Sequence, residues 1–430
     1  MTNKKPLSFV SERNTKTKSN GVQFANMQLV PSTKANMQLQ NNARFLLVTV
    51  VLLIAIVLMM TLLACTTVHA PSPEDGYSNA QGAGDTYNQE VAQSVQTRTV
   101  IDVWGREVEI PTEVETIIAI GVGGPRIATY LDVMDKLVGI EAHFTSGVNV
   151  LRDYHPVIPK WLLTLPVVGA GGGSGENNGF AEEIIMIAPD VIIAGFDKDA
   201  AGELQSQTGI PVVSIRHTTG LANESFQNAV RVFAEVTSSQ DRAEELLAYI
   251  DELKKDLNKR TINVPDGEKL RAYAGAVTWN GRRGFAGTYS NFGIFNAINA
   301  INVAYVTNID GFYEASLESI IIWDPDVIFL DPGNMDLVSS EFAANPNFFN
   351  SLRAIRERRV YSMPSFNHAG TNITYAFINA YFAGTILFPD QFADVDIAEK
   401  AGEILTMFLG KDTFEIMEAN GLFYGQIIIE

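Results

Sequence analysis

The chain holds one cysteine, Cys65, in 430 residues. That excludes a disulfide framework and any cluster held by several thiolates. Histidine is scarce: there are five, His69, His143, His155, His217 and His368, and their spacing forms no metal motif. A zinc or manganese receptor needs several such ligands and a carboxylate converging on the ion. There is no phosphate-binding G-x-x-x-x-G-K-[ST] loop and no G-x-S-x-G elbow, so two common catalytic frameworks lack their parts. The glycine loop Gly121–Arg126, GVGGPR, misses the dinucleotide pattern G-x-G-x-x-G because Arg126 stands where the last glycine should be. Basic residues are outnumbered, 31 against 49 acidic, for a formal net charge of −18. The first 64 residues carry seven Lys/Arg and one acid, so the remainder carries −24. Such a surface repels nucleic acid and anionic lipid, and no nucleic-acid partner is expected.

Two stretches repeat one another. Ala181–Gly195 reads AEEIIMIAPDVIIAG and Leu317–Asp331 reads LESIIIWDPDVIFLD. Aligned on Pro189 and Pro325, each has a Glu (Glu182, Glu318), six mostly apolar residues, then Pro-Asp-Val-Ile, at an offset of 136. Each predicts a short amphipathic helix stopped at proline, which cannot continue the hydrogen-bond ladder. The β-branched run that follows suits a strand buried on both faces. An αβ unit repeated at this distance predicts two α/β lobes of related architecture.

The N-terminus is polar and basic, then runs unbroken and apolar from Phe45 to Ala64 before Cys65. Twenty apolar residues are long enough to span a bilayer. Leu62-Leu63-Ala64-Cys65 also resembles a bacterial or archaeal lipobox, which implies removal of the leader and a lipid on Cys65. A plain transmembrane anchor is the alternative. The leader is long for a signal peptide, and a start at Met37 gives a conventional one. Residues 66–97 are rich in Ser, Gly, Asn, Gln, Pro and Ala without an apolar face, and read as a flexible linker.

The body divides into an N-terminal lobe at 98–238, an interlobe helix at 239–262 and a C-terminal lobe at 263–430, after a leader (1–64) and linker (65–97). Arg98–Pro111 predicts a hairpin turning at Gly105. Strands are expected at Thr116–Ile120, Leu137–Ile140, Val167–Val168, Val212–Ile215, Arg271–Thr278, Val303–Val306 and Val360–Met363. A helix from Ser239 to about Lys259 carries one apolar stripe, Ala243, Leu246, Leu247, Ile250, Leu253 and Leu257. Odd loops follow the strands: the glycine-rich Gly169–Gly179, Trp279–Tyr289 (WNGRRGFAGTY) and Pro364–Asn372 (PSFNHAGTN).

The hairpin TVIDVWGREVEIP, the strand IIAIG, DKLVGI, PVVGAGGG, both Glu-x6-Pro-Asp repeats and FFNSLRAIRERRVYSMP together resemble the substrate-binding proteins of ABC importers for iron–siderophores, haem and vitamin B12. The likeness runs from about Arg98 to the C-terminus. It implies two Rossmann-like lobes joined by one long helix, with ligand in the cleft between them and no covalent chemistry. It implies a monomer working with a permease and its ATPase, lipid-anchored at the cell surface, and an iron(III) chelate as ligand, with vitamin B12, haem or an oxyanion as alternatives. It also implies that Glu182 and Glu318 each dock onto a permease subunit, although acids also favour a helix's first turn by themselves. No resident cofactor is expected.

Arg126, Arg282 and Arg283 lie in loops at strand ends and are candidates to grip an anionic chelate bidentately. Solvated surface charge is the other reading of the Arg282/Arg283 pair. Trp279, Phe285, Tyr289 and Tyr375 are candidates to pack flat organic parts of a ligand, with core packing as the alternative for each. His368 is the histidine expected to touch ligand. A chelatase-like enzyme and a purely adhesive surface protein are the readings from other classes.

Overall fold

The computed structural model describes residues 96–171, 179–218 and 220–429. The leader, Cys65, nearly all of the 65–97 linker and most of the Gly169–Gly179 loop lie outside the described residues. No helix among the described residues is long and apolar enough to cross a membrane.

The described chain begins with an antiparallel hairpin, β1 (Thr97–Ile101) and β2 (Glu107–Pro111), with Val100 opposite Val108. Gly105 takes φ +74 in the turn. The Asp102 carboxylate fixes that turn by accepting the amides of Trp104 and Arg106 at 2.9 and 3.0 Å.

The first lobe comprises β3 (Ile117–Ile120), α1 (Gly124–Tyr130), β4 (Leu137–Glu141), β5 (Val167–Gly169), α2 (Ala181–Ile187), β6 (Val191–Ala194), α3 (Lys198–Thr208) and β7 (Val212–Ser214). Its parallel sheet has the order β5-β4-β3-β6-β7. The apolar runs of β3 and β6 are buried at every position, as strands covered on both faces require.

Next come α4 (Glu224–Thr237) and α5 (Gln240–Thr261). α5 has 22 residues, about 33 Å of helix at 1.5 Å per residue. Its apolar stripe is buried along the whole length. Arg242 Nε donates to the Tyr130 carbonyl at 3.2 Å, and Arg260 grips Asp394 at 2.6 and 3.0 Å. The helix is thereby tied to the first lobe near one end and to the C-terminal region at the other.

The second lobe comprises β8 (Arg271–Gly275), β9 (Gly287–Tyr289), α6 (Gly293–Ala297), β10 (Ile301–Asn302), β11 (Phe312–Glu314), α7 (Leu317–Trp323), β12 (Val327–Leu330), α8 (Met335–Ala344), α9 (Pro346–Ser351), α10 (Arg353–Arg356) and β13 (Val360–Ser362). Its parallel sheet has the order β10-β8-β12-β13. α11 (Ile373–Leu387), α12 (Ile397–Leu409) and α13 (Phe414–Ala419) complete the described chain.

The sequence repeat is one structural joint built twice. α2 and α7 end in residues of positive φ, Ala188 (+51) and Asp324 (+37), just before the prolines. Asp190 Oδ2 then accepts the Thr116 amide at 2.8 Å while its own amide donates to the Thr116 carbonyl at 3.1 Å. Asp326 does the same to Arg271, both at 2.8 Å. Each Pro-Asp therefore locks its strand to the neighbouring inner strand of its own sheet.

Two expectations need correction. The strand foreseen at Val303–Val306 is the short β10, because the Asn302 side chain donates to the Tyr289 and Ser290 carbonyls and accepts the Ala304 amide, turning the chain. The Trp279–Tyr289 stretch contributes β9, which pairs antiparallel with β11. Three residues on each side are too few for a periodic signal.

Candidate functional site at the lobe junction

In open α/β sheets ligands sit off the carboxyl ends of the strands. There β4 ends on Glu141, whose Oε1 accepts the Gly121 amide at 2.7 Å and whose Oε2 lies 3.6 Å from His143 Nδ1. His143 Nε2 is 3.5 Å from the Tyr154 hydroxyl, and its ring stacks on Phe144 and His155 with centroids 4.3 and 5.4 Å away. Gly171 closes over this corner at φ +68, and a Cβ there would stand 2.3 Å from His143 Nδ1. His155 Nδ1 accepts the Asn149 amide at 3.2 Å, which puts the ring proton on Nε2. That Nε2 is buried without a protein partner, as is Nε of Arg152, a residue only 7% exposed. From the second lobe, His368 Nε2 comes within 3.5 Å of Asn149 Nδ2.

The electrostatics follow from burial. It pushes His143 and His155 down to about 3, with the Arg152 charge the next cause in each. His368 falls to about 4 for the same two reasons. Near neutral pH these imidazoles are uncharged. Glu141 is pushed up to about 7 by burial, against the Gly121 amide and Arg152. Burial also lowers the Arg152 pKa, while Tyr154 and Glu141 act the other way. Arg152 is thus a buried cation without an ion pair among the described residues, and the carboxylate that acts on it, Glu141, is only partly ionised. Surrounded by neutral rings, it has the chemistry of an anion receptor.

Arg126 does different work. It is 1% exposed, and its Nε donates to Asp153 Oδ1 at 3.0 Å. Its other nitrogens donate to the Ala369 carbonyl (3.0 Å), the His368 carbonyl (3.2 Å) and Asn372 Oδ1 (2.7 Å). Asp153 Oδ2 accepts the Tyr130 hydroxyl and, at 2.8 Å, the Thr374 hydroxyl. Arg126 therefore pins the first lobe to the loop before α11 instead of offering its donors to a ligand. Gly370, at φ +88, is needed for that approach, since a Cβ would meet Val122 and Arg126 at 2.8 and 3.0 Å.

The other sequence candidates fall into three places. Trp279 and Tyr289 line a groove of about 580 Å³ together with Phe292, Phe312, Phe366 and Asn367. Trp279 lies nearly parallel to Phe312, and the Tyr289 hydroxyl accepts Asn367 Nδ2 at 2.8 Å. Tyr375 and Phe285 are core: the former is fully buried and donates to the Val150 carbonyl at 2.8 Å, and the latter packs on Phe348 and Phe349. Arg282 bonds Asn334 at 3.0 Å and pairs with Asp336, while Arg283 bonds the Trp279 carbonyl at 3.0 Å and covers the Phe312 ring. The three guanidinia of Arg126, Arg282 and Arg283 are thus committed to separate partners. Glu182 and Glu318 are exposed in the first turns of α2 and α7. No group of three or more His, Cys, Asp or Glu among the described residues is placed to hold a metal ion.

Sequence reasoning missed Arg152. It sits among 3-10 turns between β4 and β5, where no periodicity marks a buried face. The charged Arg152-Asp153 pair set between apolar and aromatic neighbours, LRDYH, was the one available signal.

The histidines also set a pH dependence. Four of them, His143, His155, His217 and His368, are held at about 3 to 4 by burial first. Below their unfolded value near 6.5 they take up protons on unfolding. Glu141 and Asp331, raised by burial to about 7 and about 6, oppose this by releasing protons on unfolding. Net uptake of about two protons gives a slope of roughly 2.7 kcal/mol per pH unit, about half that after solvent screening. Stability is expected to fall as pH drops from 6 to 4.5. Urea titrations at both values check the sign, which a flat or inverted profile would contradict.

A family model described as periplasmic binding protein matches residues 124–366. The chain belongs to the periplasmic binding protein family. It is similar to the molybdate-binding protein MolA of Haemophilus influenzae, 24% identical over 331 residues covering 72% of this chain and 90% of that protein. It is also similar to the Fe(3+)-citrate-binding protein YfmC of Bacillus subtilis, 22% identical over 309 residues, 71% of this chain and 87% of that one. Among solved structures, a periplasmic solute binding protein from Veillonella parvula superposes with a TM-score of 0.60 at 21% identity, covering 76% of this chain and 97% of that one. This periplasmic binding protein is thus the extracytoplasmic substrate-binding component of an ABC importer, two-lobed, and not an enzyme.

Proposed function

We propose that this periplasmic binding protein captures a small oxyanion of the molybdate class at the lobe junction and hands it to its permease. Arg152, His143 and His155 from the first lobe and His368 from the second are the residues we assign to the ligand. The observation that carries this reading is the pair of buried donors without protein partners, Arg152 Nε and His155 Nε2, beside a cation short of counter-charge. An anion between the lobes satisfies both donors and compensates the charge. The molybdate-binding relative supports the same class.

The iron(III) chelate expected from the sequence is the second reading. It draws on the aromatic groove of Trp279, Tyr289 and Phe312, which is roomy enough for an organic chelator, and on the ferric-citrate-binding relative. In either case Glu182 and Glu318 dock the loaded receptor on the permease, and Cys65 carries a lipid that holds the body at the membrane. Native mass spectrometry of the protein purified from its own host tests the choice. An added mass matching an oxyanion supports the first reading; a siderophore, corrinoid or haem mass overturns it.

A further inference from the structure

The repeated helices α2 and α7 carry more than their glutamates. A short surface helix packed on a lobe by one face is expected to be polar on the other. Here Ile184 and Ile320, at matching positions, are the buried residues of the two helices. The next two residues in each point outward and are apolar. Ile185 and Met186 are 48% and 78% exposed, and Ile321 and Ile322 are 46% and 81% exposed. Each pair follows its exposed Glu by the same spacing, and neither Glu has an ion-pair partner among the described residues. Solvent exposure of paired large apolar side chains marks an interaction surface.

We infer that Ile185/Met186 and Ile321/Ile322 are twin apolar anchors, each seated in a hollow beside a basic side chain on one of two like subunits of the permease. This rests on the docking role proposed for Glu182 and Glu318 and extends it from charge to buried contact. The duplication argues for the occupant: one surface built once on each lobe fits a partner that presents one face twice. Charge argues the same way, since a chain of −24 beyond residue 64, with an acid beside each anchor, repels a second copy of itself and an anionic lipid surface. The apolar pair supplies the area and the acid sets partner choice and register.

A photo-crosslinking residue placed at position 186 or at position 322, in cells of the native host, tests this. Both positions are expected to label the same polytopic membrane polypeptide, or two of like sequence, at a segment containing Lys or Arg. Labelling of lipid, of a second copy of the receptor, of unrelated proteins from the two sites, or of nothing overturns it. Met186→Gln and Ile322→Gln are each expected to raise the receptor concentration giving half-maximal stimulation of ATP hydrolysis in host membrane vesicles about tenfold, and together about a hundredfold. Unchanged stimulation overturns the apolar contribution even if crosslinks form. Molybdate titration of the same purified variants separates the two ideas: unchanged ligand affinity is expected, and a receptor that binds no anion would sink the ligand reading while leaving the crosslinks to stand.

Discussion

Arg152→Gln is expected to weaken capture of the anion about a hundredfold while leaving the empty protein no less stable. A hydrogen bond from a charged donor contributes about 1.5–3 kcal/mol, or roughly 10- to 150-fold in affinity, and the ligand also loses its compensating charge. The stability half of the expectation is the unusual one. Large losses on truncating a buried Arg arise when a partner acid is left behind. Arg152 has no ion pair among the described residues, and its Nε is orphaned. Arg152→Lys keeps the charge but not the planar fork, so an intermediate affinity is expected. Calorimetric titration and urea unfolding of the same samples read both quantities. A strongly destabilised Arg152→Gln variant with unchanged affinity would make Arg152 a structural residue.

Asp153→Asn is expected to have the opposite signature. Asp153 is fully buried and receives Arg126, the Tyr130 hydroxyl and the Thr374 hydroxyl. The amide removes the counter-charge and turns an N–H toward groups that already donate. Removing one partner of a buried pair costs about 3–5 kcal/mol, enough to erase a large part of a typical domain's stability. Because Arg126 and Thr374 meet across the lobes at this carboxylate, the loss falls on the junction itself. Combining Asp153→Asn with Arg126→Met should recover much of the loss, since an apolar replacement leaves no uncompensated charge. A double variant as unstable as the sum of the singles would show that the two side chains act independently.

What the sequence made legible was what repeats or alternates. The Pro-Asp joint was visible because the same geometric need, locking a strand to the inner strand beside it, selects the same residues in both lobes. β3, β6 and β12 were visible because strands buried on both faces are apolar throughout. The hairpin was visible through its period of two and Gly105. The junction was harder. Arg126 announced a charge, but its partners lie 27 residues away at Asp153 and 246 away at Asn372. Nothing local distinguishes a latch from a ligand-binding arginine. Conversely Arg152, His143 and His155 looked ordinary, because burial of a loop residue is decided by what packs over it. His368 was reached through its loop alone, and its neighbours only through the fold. Tyr375, on α11, and Phe285, in the turn before β9, belonged to the core.

Calorimetric titration of the full chain with sodium molybdate near pH 7 reads directly whether an oxyanion binds between the lobes at Arg152 and the three histidines. One saturable site per chain is expected, abolished or weakened about a hundredfold by Arg152→Gln and left intact by Arg282→Gln. No heat of binding to wild type, or a site lost with Arg282→Gln and kept with Arg152→Gln, would contradict it.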